Sequence, residues 1–244
     1  MSMFLLFALV MAASGQTRTV GVSMGDTFTY SYVVNWNSND PSATVPSNLV
    51  SINETQWEKV SITAVSGTNI TGTLTAHYKN GTETTIDGWV NVDTGDGENM
   101  TALFISAGLV PGDSIYTGSD YSTYLINETV SRTYPGGMRD TDHINTTAES
   151  SSSIIGNLSI TTNMYWDKST GFLVDLSIEE SNQTGTYLTT WLEALQIIGS
   201  SVWPVPEFSS WPLALLTLIT VTSAVTLMSR RKRFKNPSEP QLLT

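Results

Sequence analysis

Stretch after stretch of the chain alternates apolar and polar side chains. This period of two constrains the fold more than any other feature, because only an extended strand with one buried face places residues i and i+2 on the same side. It is strongest in Phe28, Tyr30, Tyr32, Val34 and Trp36, which give one strand an aromatic face. A second strand is expected on Val60, Ile62 and Ala64, turned at Gly67-Thr68-Asn69 into a third with Ile70, Gly72, Leu74, Ala76 and Tyr78. Asn80-Gly81 is a favoured type I′ hairpin pair, leading into a strand over 84–93. Further strands are expected over 125–134 and 138–146, around the turn Pro135-Gly136-Gly137. Two more are expected on Leu158, Ile160, Thr162, Met164 and Trp166 and on Phe172, Val174, Leu176 and Ile178, with 167–171 as the turn between them. A turn over 182–185 then starts a last strand over 187–195.

Apolar spacing of three and four, the mark of a helix, is absent from this region except for a doubtful stretch over 100–109, and 37–48 is the longest evident loop. The expectation is a mainly β fold: an antiparallel meander forming a curved sheet, sandwich or open barrel, plus one C-terminal transmembrane helix.

The chain has 244 residues and no cysteine, so packing must supply the stability that disulfides give many exported domains. Seven Trp, nine Tyr and seven Phe offer the area to do it. Five of the 11 basic residues, Arg230, Arg231, Lys232, Arg233 and Lys235, crowd into six positions. Between Gln16 and Pro206 six bases face 20 acids, a net charge of −14 that repels phosphate backbones and argues against a nucleic-acid partner.

The two ends point to a membrane. The apolar run over 4–12, followed by the small residues Ala13-Ser14-Gly15, fits a signal peptide over 1–15. The uncharged stretch over 211–228 forms about 27 Å of helix at 1.5 Å per residue, enough to span a bilayer core. Trp203 stands before it and Trp211 opens it, on the side where indole rings favour the headgroup layer. The basic cluster after it acts as a membrane stop and sets the cytoplasmic side, which places everything before the span outside. The organisation expected is a signal peptide over 1–15, an extracellular β domain over 16–198, a stalk over 199–210, the span over 211–228 and a basic tail over 229–244.

Pro206-Glu207-Phe208, then an apolar helix, then Arg-Arg-Lys-Arg, resembles the C-terminal sorting segment of archaeal surface proteins of the PEF-CTERM type. The resemblance covers about the last 40 residues and implies an archaeosortase-type processing enzyme as partner, with Pro206, Glu207 and Phe208 as its recognition site. Residues 236–244 extend beyond the basic cluster, where members of that group stop sooner. The body is similar in style to archaeal exported β-rich proteins with such tails.

Chemistry in the body is sparse. Asn53, Asn69, Asn80, Asn99, Asn127, Asn145, Asn157 and Asn182 each begin an Asn-x-Ser/Thr sequon. About four such triplets would arise by chance in a chain with roughly a quarter Ser and Thr. Asp93, Asp96 and Glu98 gather carboxylates in a glycine-rich turn that offers oxygen ligands to Ca²⁺, although a solvated acidic turn is the simpler reading. No other cofactor is expected. His77 and His143 are the only histidines, and no nucleophile-elbow, phosphate-loop or metalloprotease motif accompanies them.

Trp36, Trp57, Trp89, Trp166 and Trp191 read as core, or as the lining of a lipid groove if the sheet is an open half-barrel. The expected function is non-catalytic: a membrane-anchored, glycosylated cell-surface module, structural or binding, whose partners are the bilayer and an envelope glycan, protein or apolar ligand. An envelope hydrolase with dispersed residues, or a carrier of lipid, are the alternatives.

Overall fold

The computed structural model describes residues 17–118, 123–152 and 156–203. The expected signal peptide, the sorting motif Pro206-Glu207-Phe208, the span over 211–228 and the basic cluster lie outside these residues. Among the described residues no helix is long and apolar enough to cross a membrane.

Among the described residues the body is one ten-stranded antiparallel sheet with a single helix. Its strands are β1 (Thr27–Ser38), β2 (Thr55–Ser66), β3 (Asn69–Tyr78), β4 (Glu83–Asn91), β5 (Gly97–Glu98), β6 (Glu128–Tyr134), β7 (Gly137–Ser152), β8 (Gly156–Asp167), β9 (Leu173–Thr184) and β10 (Tyr187–Ser200). The helix, α1 (Ser47–Asn53), joins β1 to β2 and buries Leu49. The spatial order is β5-β4-β3-β2-β1-β10-β9-β8-β7-β6, so the sheet is open, with β5 and β6 at its two ends. Two meanders run outward from a central seam in which β1 pairs with β10. This resolves the choice among curved sheet, sandwich and barrel in favour of a single unclosed sheet.

Alternation places Phe28 and Tyr30 of β1, Val60 and Ile62 of β2, Ile70 and Leu74 of β3, and Leu195 and Ile197 of β10 in one core. The connection over 99–127, rather than 37–48, is the longest, and it completes that core. It carries no helix over 100–109. Its Met100, Phe104, Ile105, Leu109, Ile115 and Tyr116 are all buried. Room for Met100 comes from Gly72 and Gly88, which stand opposite each other on β3 and β4. A Cβ on Gly88 would approach Met100 Cγ to 2.7 Å.

The first part of this crossover docks on the β8–β9 turn. Phe104 pairs with Phe172, the Ile105 amide donates to the Gly171 carbonyl at 2.8 Å, and Trp166 Nε1 donates to the Ala102 carbonyl at 2.8 Å. Phe28 meets Phe104 edge-on at 5.7 Å between ring centres. The turn itself is held by the buried Asp167, whose Oδ1 accepts from the amides and hydroxyls of Ser169 and Thr170.

Several local expectations are corrected. A register shift between Ile62 and Ala64 leaves Ala64 exposed and packs Val65 against the core instead, because the extra residue of a bulge reverses the alternation. At Asn80-Gly81 only Gly81 has positive φ, at 83°. The Gly81 amide donates to the Tyr78 carbonyl, so the loop is a longer glycine-bulge hairpin rather than a two-residue type I′ turn. β10 runs on to Ser200, and Trp203 is buried against Phe172 and Tyr134 at 5.3 and 5.8 Å. Residues 199–203 therefore belong to the fold rather than to a stalk, and Trp203 serves the core instead of a headgroup layer.

Candidate functional site

One face of the sheet, over β7 to β10 and the end of β1, is built from polar rows. Register puts Thr147, Thr161, Glu179, Leu192 and Asn35 opposite one another, then Glu149, Ser159, Ser181, Thr190 and Asn37. A third row holds Ser151, Asn157 and Gln183. Hydrogen bonds within the rows confirm the shared face: Thr147 Oγ1 lies 3.3 Å from Thr161 Oγ1, and the Ser151 hydroxyl donates to Asn157 Oδ1 at 2.7 Å. A groove of about 380 Å³ lies along Asn35, Asn37, Thr161, Glu179 and Thr190. A second, of about 420 Å³, lies along Glu149, Ser151, Asn157 and Gln183. Ser159 and Ser181 line both, so the two are continuous.

Nearer the core the same face carries a charged and aromatic row. Glu128, His143, Tyr165 and Asp175 stand opposite one another across β6 to β9. His143 is buried; its ring stacks on Tyr165 at 4.1 Å, and its Nδ1 and Nε2 lie 3.1 Å from Glu128 Oε1 and Asn163 Oδ1. Arg132 lies over Tyr165, 3.9 Å from its ring centre, and donates to Asp175 Oδ2 at 2.7 Å. Both ring nitrogens of His143 thus face an amide or carboxylate oxygen, and no Ser or Thr hydroxyl occupies either position. Of this row only His143 stood out in the sequence. Glu128 becomes findable once the turn at Pro135-Gly136 is used to count the strand register outward to His143. His77, the second histidine, stacks on Trp57 at 4.8 Å and meets Glu83 at 3.0 Å.

No protein-family model and no curated protein matches the chain.

Seven of the eight sequon asparagines are exposed: Asn53 at the end of α1, Asn69 opening β3, Asn80 in the β3–β4 loop, and Asn99, Asn127, Asn145 and Asn157. In the Asn80 sequon, the amide and hydroxyl of Thr82 both donate to Asn80 Oδ1, at 2.9 and 2.7 Å. Asn182 is the exception, half-buried with an Oδ1 that has no hydrogen-bond partner.

The three carboxylates considered for Ca²⁺ are not gathered. Asp93 Oδ1 accepts from the Thr117 hydroxyl, Asp96 Oδ2 accepts from the Thr94 hydroxyl, and Glu98 is exposed. No group of three or more potential metal ligands forms among the described residues. Of the five body tryptophans, Trp166 is fully buried, Trp36, Trp57 and Trp191 are half-buried, and Trp89 is 40% exposed. Gly112-Asp113-Ser114 is a turn, with the Asp113 amide donating to the Val110 carbonyl.

Burial leaves a pH signature. Desolvation raises the carboxyls of Asp142, Asp175, Glu180 and Glu193, opposed at Asp142 by Thr129 and Lys168 and at Asp175 by Arg132. Asp40, lowered by its bonds from Ser42, works the other way. A carboxyl raised on folding binds its proton more readily in the folded state. Stability therefore increases as pH falls through the raised values toward the ordinary carboxylate range of about 4. Thermal midpoints are expected to rise as the pH is lowered from neutral toward about 4, helped by relief of the acidic self-repulsion; a midpoint that falls over this interval contradicts the assignment.

Proposed function

We propose that this chain is a membrane-anchored, N-glycosylated cell-surface protein whose β domain is a non-catalytic structural or binding module. The domain stands outside the cell, the span over 211–228 holds it, and Arg230, Arg231, Lys232, Arg233 and Lys235 mark the cytoplasmic side. Pro206-Glu207-Phe208 is the place where an archaeosortase-type enzyme would exchange the helix for another anchor. The observation that carries the reading is the exposure of seven of the eight sequon asparagines, distributed over both meanders. A polar open face with three glutamates along its grooves and no Lys or Arg there supports a module that meets neutral, hydroxyl-rich envelope material.

Intact-mass analysis of protein extracted from its native membrane tests these elements together. The expected result is a chain lacking about the first 15 residues and heavier than its sequence by one or more oligosaccharides. A full-length, unmodified, soluble product overturns the reading. A mature end near Phe208 bearing a new anchor supports processing, whereas an intact Leu243-Thr244 end leaves a single-pass membrane protein.

A further inference from the structure

The polar grooves and the sequons meet at one residue. Asn157 is exposed, is the second residue of β8, and lines the second groove. Its sequon hydroxyl, Ser159, lines both grooves. Asn69 and Asn80 line neither. We infer that the continuous groove is the berth of the chain's own Asn157 glycan, which lies along the sheet from Asn157 toward Asn37 instead of extending into solvent. This rests on the glycoprotein reading above. Attachment exchanges one Nδ2 hydrogen for a bond to the anomeric carbon of a sugar donated from a lipid-phosphate carrier, and the proton leaves with the carrier.

Three features of the groove favour this occupant. The first is chemical: Ser181, Thr190, Asn37 and Gln183 offer hydroxyls and amides that both donate and accept, repeated about 4.8 Å apart across neighbouring strands, a scale close to one sugar ring. The second is charge. Glu149, Glu179 and Glu180 are the charged residues along the grooves, so they accept from sugar hydroxyls and repel sulfated or phosphorylated ligands, which selects a neutral glycan.

The third is concentration. The groove is open, its three register rows carry no aromatic side chain, and Trp191, the one aromatic residue along it, is half-buried. Such a surface grips a free sugar poorly. A glycan fixed at its rim, however, is present at an effective concentration of about millimolar or more, so contacts too weak for a free ligand suffice.

The test is site-resolved oxidation of vicinal diols. Full-length protein carrying its native sugars is treated with dilute periodate while folded, and intact glycopeptide is quantified by mass spectrometry at each sequon. The Asn157 glycan is expected to oxidise about tenfold more slowly than those on Asn69 and Asn80, as a few net hydrogen bonds would give. The difference should vanish in denaturant. Ser181→Trp, which fills the groove, should bring Asn157 to the common rate at unchanged occupancy. Glu179→Ala, which removes an acceptor without adding bulk, should move it the same way.

Equal rates at an occupied Asn157 overturn the berth, and so does an empty Asn157 beside occupied sequons; both leave the glycoprotein reading standing. An Asn157→Gln protein that binds free neutral oligosaccharide tightly assigns the groove to an external glycan and also overturns the berth. Absence of sugar at every sequon removes the glycoprotein reading itself.

Discussion

Trp166→Ala is expected to lower the unfolding free energy by about 3–5 kcal/mol, a large share of the roughly 5–15 kcal/mol that holds an ordinary domain folded. The indole is fully buried, and its Nε1 donates to the Ala102 carbonyl, so it fastens the 99–127 crossover to the sheet. Truncation removes a large apolar surface, opens a cavity, and leaves the Ala102 carbonyl without its partner. Trp166→Phe keeps much of the ring and loses the hydrogen bond, so it should cost less than the alanine. Urea denaturation monitored by circular dichroism gives both values. A loss under about 1 kcal/mol for the alanine variant would mean that the crossover is held elsewhere.

The second large effect lies on the other side of the same junction. Gly171 has a φ of 75°, and a Cβ there would come within 2.2 Å of the Ile105 carbonyl oxygen. Gly171→Ala thus combines left-handed strain with a clash against backbone that has little freedom to move, and should cost about 2–5 kcal/mol. Gly185 supplies the control. Its φ is 62°, but nothing lies within 4 Å of the added carbon, so Gly185→Ala should cost only the conformational share, about 1–2 kcal/mol. Equal losses at the two positions would show that close packing against Ile105 is unimportant.

These two sites also mark the boundary of what the chain discloses by itself. β1 is readable because its inward residues are large and apolar while Ser31 and Asn35 between them are polar. The β8–β9 turn is readable because Asp167, Ser169 and Gly171 have strong local preferences for turning. The crossover is not readable. Its backbone groups bond to Thr19, Lys168 and Gly171, partners far away in sequence, so no period marks it. The outer half of β7, from Asn145 to Ser152, is exposed on nearly every residue, and with both faces polar the alternation disappears. The same holds for the site. The sequons are local triplets visible by inspection, whereas the grooves exist only through register, which the hairpin turns establish at a distance.

The seam between β1 and β10 joins residues almost the whole domain apart, Thr29 with Gly199 and Trp36 with Trp191. A chain emerging from its N-terminus must therefore carry β1, with its Phe-Tyr-Tyr-Val-Trp face, unpaired along that edge until the final strand has been made. The neighbouring hairpins can zip early, but the centre of the sheet closes last. A product truncated before Tyr187 retains a long, apolar, unpaired strand of the kind that recruits other chains. Completeness of synthesis is thereby converted into solubility, and the last strand functions as the latch.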